Sequence, residues 1–129
     1  MTTLRFTVTD EDTAIALGSG DVPVLATPRL MAWMEAATVA AALPRLDMTS
    51  TTVGVEVWMR HRRATAVGAS IEVEVTEVSE LDRGLSFEVV AREVPVSEGD
   101  GPGAAPGREV ASGRVVRAIV DRAAFLSRL

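Results

Sequence analysis

The sequence predicts an α+β fold: one antiparallel sheet of about five strands wrapped around one long central helix. Three observations carry this. The run from Ala26 to Leu43, ATPRLMAWMEAATVAAAL, is made of strong helix formers and is apolar on most sides. After Asp47 the hydrophobic period changes from helical to alternating. The resulting order is a short strand, the helix, then four long strands. An apolar helix needs covering, and a curved antiparallel sheet can cover it.

The first strand is expected over residues 3–9, followed by a loop at Leu17 to Val22, LGSGDV. The helix starts at Thr27-Pro28, where Thr can cap and Pro suits the first helical position, and it stops at Pro44. Arg29, Glu35 and Thr38 are its few polar residues, so it is expected to be buried on most sides. In the next stretch Val53, Val55, Val57, Met59 and His61 fall on one strand face. Gly54, Glu56, Trp58, Arg60 and Arg62 fall on the other. Ile71, Val73 and Val75 alternate with Glu72, Glu74 and Thr76, a turn follows at Leu81 to Gly84, and LSFEVVARE alternates again. Pro95 to Gly107 reads as a long flexible hairpin tip. The last strand spans roughly Glu109 to Val120, and RAAFLSRL closes the chain as a short helix. This is the hot-dog architecture, with the helix as sausage and the sheet as bun. A cone-shaped α+β fold would need more than one N-terminal helix.

Composition bounds the function. A chain of 129 residues suits a single domain spanning 1–129, and 47% hydrophobic residues make it globular. A net charge of −5 argues against nucleic acid as a partner, because phosphate neutralisation needs a basic face. With no cysteine and one histidine, thiol catalysis, disulfides, and cysteine or multi-histidine metal sites are excluded. No metal or redox cofactor is implied. The N-terminus, MTTLRFTVTD, lacks the pattern of a signal peptide, and the apolar run is too short and interrupted to span a membrane. A cytoplasmic location without membrane partners is expected.

Glu35 is the first chemical candidate. A lone carboxylate in an apolar helix is costly unless it is paired, hydrogen-bonded or neutral. It is either a reactive carboxylate in a cleft, or it sits on a wet stripe or beside an arginine at a subunit seam. His61, the only histidine, is expected to face the helix and can pair with Glu35 there; the alternative is a satisfied structural histidine. The Thr27 hydroxyl either caps the helix or stands at a helix terminus, where the amides of Thr27, Arg29 and Leu30 can hold an oxyanion. Arg60, Arg62 and Arg63 form a phosphate-binding candidate, although such a run is more often a solvated strand end. Gly54 within a strand signals a bulge or a close backbone approach.

From about Val24 to Phe125 the chain resembles the fluoroacetyl-CoA thioesterase type of hot-dog thioesterase. The likeness rests on ATPRLMAWMEAA, VGVEVWMRHRRATAVG and ASGRVVRAIVDRAAF. The resemblance implies a catalytic set of Thr27, Glu35 and His61. It also implies an oxyanion-binding amide at Gly54 and CoA-phosphate contact by Arg117. It implies an acyl-CoA or acyl-carrier thioester as substrate, with coenzyme A entering only as part of it. The fluoroacetyl-specific enzyme has a phenylalanine-rich segment before its threonine. The equivalent ALGSGDVPVLA here has no aromatic residue, which puts fluoroacetyl selectivity in doubt. A helical rise of about 1.5 Å per residue separates Thr27 and Glu35 by roughly 12 Å. Each site is therefore expected to join Thr27 of one chain to Glu35 of another, in a homodimer that can go on to a tetramer. The rival is a non-catalytic hot-dog module that binds acyl-CoA or an acyl carrier.

Overall fold

The computed structural model describes residues 2–95 and 107–129. The elements are β1 (Thr3–Thr7), α1 (Ala14–Leu17), α2 (Thr27–Ala42), β2 (Ser50–His61), β3 (Ser70–Leu81), β4 (Gly84–Val94), β5 (Arg108–Asp121) and α3 (Arg122–Ser127). Single 3₁₀ turns occupy Asp10–Asp12 and Leu43–Arg45. The five strands form one antiparallel sheet in the order β1-β3-β4-β5-β2. β1 and β2 are thus its edges. This is the expected hot-dog fold. Apart from its two ends, the expected loop from Pro95 to Gly107 lies outside the described residues.

The core lies between α2 and the sheet. Leu30, Trp33, Met34, Ala37, Thr38 and Ala42 recur at helical spacing and are buried. They meet the alternating residues of the strands, among them Ile71, Val73, Phe87, Val89 and Val115. Phe6 of β1 stacks on Trp33 with ring centroids 4.6 Å apart. Burying each large apolar side chain contributes about 1.5–3 kcal/mol. One expectation needs correcting. The helix is not covered on most sides, because the sheet wraps only one of them; Val39 and Leu43 are 48% and 70% exposed. Among the described residues no helix is long and apolar enough to cross a membrane.

The strands are not regular throughout. Register shifts occur in β2 between Gly54 and Glu56 and in β3 between Val75 and Glu77. A third lies opposite Ala91 and Arg92 of β4. Such bulges bend and coil a sheet, which lets it curl around the helix. Residues 8–26 also hold more structure than a loop. Thr13 caps α1, Gly18 ends it in the left-handed region at φ 70°, and Ala26 N–H donates to the Asp12 carbonyl at 2.9 Å. α1 has only four residues, too few for a hydrophobic period to show in sequence.

Candidate active site

Two clusters lie between α2 and the strands. The first is at the start of α2. The N-cap is Ala26, which has no capping side chain; Thr27 and Pro28 are the first two helical residues. Thr27 therefore does not cap, contrary to one of the two roles expected. Its hydroxyl meets His61 Nδ1 at 2.8 Å instead. With the imidazole neutral and protonated on Nε2, the hydroxyl donates to Nδ1. Burial holds the His61 pKa below its ordinary value of 6.5, opposed in part by the polar Arg63 backbone nearby. His61 Nε2 is buried and has no partner among the described residues. The Leu30 amide is spent on the Ala26 carbonyl at 3.0 Å, so the open amides of this first turn are those of Thr27 and Arg29. A cavity of about 330 Å³ opens here, lined by Asp21, Val22, Thr27, His61, Arg62 and Arg63 among others.

The second cluster is around Glu35. Arg117 Nη1 donates to Glu35 Oε2 at 3.2 Å. Arg117 Nε donates to Thr52 Oγ1 at 2.9 Å, and Nη2 donates to the Thr52 carbonyl at 3.3 Å. The Arg117 side chain is 8% exposed and that of Glu35 37%. A Cβ on Gly54 would stand 2.6 Å from Glu35 Oε2, so the carboxylate in its present position rests against the bare Gly54 backbone. Glu35 thus stands beside an arginine, but one of its own chain.

The bulge at Val55 corrects the strand reading. It adds one unpaired residue, so the faces change parity there: Gly54 lies on the helix side with Val57, Met59 and His61, while Val55 is 59% exposed. The two clusters engage opposite ends of β2. His61 consequently pairs with Thr27 and not, within this chain, with Glu35. Arg117, expected to contact the CoA phosphates, is buried, and its guanidinium is engaged by Thr52 and Glu35 of its own chain. Arg60 is exposed and does not line the cavity, whereas Arg62 and Arg63 do. Thr52 was not foreseen. The signal for it, a polar residue on the same face as Gly54, is hidden by the parity change. Among the described residues no three His, Cys, Asp or Glu side chains gather closely enough to hold a metal.

Comparisons with known proteins bear on the family and the fold. The family model for the fluoroacetyl-CoA-specific thioesterase (FlK) matches residues 8–123. A mutant FlK structure in complex with fluoroacetate and CoA is 25% identical, with a TM-score of 0.79, over 99% of this chain and 95% of that one. A thioesterase-superfamily protein of Thermus thermophilus superposes with a TM-score of 0.83 at 21% identity, over 98% of this chain and 85% of that one. A hexameric thioesterase from Yersinia pestis gives 0.71 at 17% identity, over 95% and 89%. No curated protein sequence matches. The chain belongs to the fluoroacetyl-CoA-specific thioesterase family and is a thioesterase of the hot-dog fold.

Proposed function

We propose that the protein is a cytoplasmic thioesterase that hydrolyses acyl-CoA at a site shared between two copies of the chain. The observation that carries this is the 2.8 Å hydrogen bond between Thr27 Oγ1 and His61 Nδ1 at the mouth of the cavity. A neutral imidazole beside a hydroxyl is the arrangement that activates an oxygen nucleophile. Thr27 Oγ1 gives its proton to His61 Nδ1 and attacks the thioester carbonyl. The C–S bond breaks, and the departing thiolate takes the proton from His61. Water then hydrolyses the ester on Thr27, with His61 again as base. The open amides of the first helical turn, joined by the Gly54 amide of the second copy, hold the oxyanion. Glu35 enters from the second copy, because its own chain's His61 is engaged at the other end of β2. Arg62 and Arg63 line the cavity where the CoA phosphates would lie. The CoA carried by the substrate is the only cofactor-like group required.

The test is free-thiol release from a panel running from acetyl- and fluoroacetyl-CoA to long-chain and aryl thioesters, with acyl-carrier thioesters alongside. Thr27→Ala, Glu35→Ala and His61→Ala accompany the wild type. Turnover that disappears in all three folded variants supports the reading and names the acyl class. Rapid quench should trap an ester on Thr27; burst-free release without one would make water the nucleophile. Wild type that binds acyl-CoA and releases no thiol would instead be a non-catalytic binding module.

A further inference from the structure

We propose that Thr52 is a positioning residue for the reaction: it grips one edge of the Arg117 guanidinium and thereby sets where Arg117 holds Glu35. The proposal rests on Glu35 taking part in hydrolysis. Nε–H and one Nη2–H lie side by side on the same edge of a planar guanidinium. Thr52 supplies an acceptor to each of them, Oγ1 at 2.9 Å and its own carbonyl at 3.3 Å. The remaining nitrogen, Nη1, is thereby aimed across at Glu35 Oε2, 3.2 Å away. One residue thus fixes the plane of the cation, and the cation fixes one oxygen of the carboxylate.

Nothing else in the cluster can do this. Gly54 lies against both groups and has no side chain, so it stops Glu35 from moving closer without directing it. Arg117 is 7% exposed, which leaves little room for water to replace a lost acceptor. The register explains the reach. Gly54 pairs with Arg117 and Thr52 with Ile119, so Arg117 leans back along β2 by one residue pair on the helix side. Without the Thr52 hydroxyl, Nε becomes a buried donor with no acceptor. The guanidinium then turns to find one, and Glu35 turns with it. Misplacing a reacting group by about 1 Å can cost on the order of a hundredfold in rate.

The experiment compares wild type with Thr52→Val, which keeps the shape and removes the hydroxyl, and Thr52→Ser, which restores it. In Thr52→Val, kcat should fall by roughly ten- to a hundredfold with KM within about twofold, because substrate binding lies elsewhere. Thr52→Ser should recover most of that loss. The NMR signal of Arg117 Nε–H gives a readout independent of turnover. It should stay protected from exchange in wild type, Thr52→Ser and Glu35→Gln, and lose protection in Thr52→Val. Thr52→Ala serves the same purpose if Thr52→Val does not fold. Normal kcat in Thr52→Val beside an inactive Glu35→Gln overturns the proposal directly, as does an Nε–H signal that stays protected in Thr52→Val. A Glu35→Gln protein with wild-type turnover overturns it through its premise, and shows that the functional reading of Glu35 failed rather than the grip of Thr52 on Arg117.

Discussion

Thr27 and His61 stand 34 positions apart in the chain and share one proton position between them. Only the neutral imidazole can take the threonine proton, so turnover by the proposed route requires His61 to be deprotonated. Burial lowers its pKa from 6.5. The kcat/KM profile should therefore hold at pH 7 and fall on the acid side with a midpoint below 6.5, and His61→Ala should abolish the activity that defines that limb. Stability carries the same sign. Below pH 6.5 the unfolded chain binds the proton more readily than the folded one. Stability from this group is thus complete above 6.5 and declines as pH falls through the folded pKa. A denaturation series across that range in wild type and His61→Ala would isolate it. At this scale the sequence names the candidate side chains and not their partners. The spacing of Thr27, Glu35 and His61 is local information. Whether His61 meets Thr27 or Glu35 depends on how far along β2 each one reaches.

The elements were legible where one face is buried. The alternation of Ile71, Val73 and Val75 and the helical period of Leu30, Trp33, Met34 and Ala37 each follow from one-sided burial, which a sequence records residue by residue. β2 misled because a bulge inserts one residue without any compositional mark beyond Gly54. α1 was missed because four residues cannot display a period. The segment before α2 has its own anchor. Asp12 Oδ2 accepts from the Thr9 amide at 2.8 Å and from its hydroxyl at 2.9 Å. Asp12 Oδ1 lies 3.0 Å from Arg29 Nε in the first turn of α2. The Asp12 side chain is only 14% exposed. Asp12→Ala should cost about 1–2 kcal/mol, partial exposure of Arg29 tempering the loss, as read by urea unfolding at neutral pH. It should also slow turnover, because the same segment walls the cavity beside Thr27.

At the scale of the molecule, the sheet order leaves β2 on an edge, with Val55 and Trp58 exposed on it, Val39 exposed on the helix and Leu43 exposed just past its end. A second copy of the chain is the proposed cover. Mixing Thr27→Ala with Glu35→Gln under conditions of subunit exchange tests it. Each mixed dimer would own one site with both native groups, so activity should return to about a quarter of wild type after random pairing. Two inactive variants that stay inactive on mixing would place each site within one chain. The long-range arrangement was the least legible part of the sequence, since nothing local records which strand ends a sheet. That β2 is both the edge and the strand bearing Thr52, Gly54 and His61 has a kinetic consequence. A thioesterase assembled across this edge has no fixed specific activity. Diluted below its dissociation constant, its rate should fall with the square of enzyme concentration and recover when the protein is concentrated again.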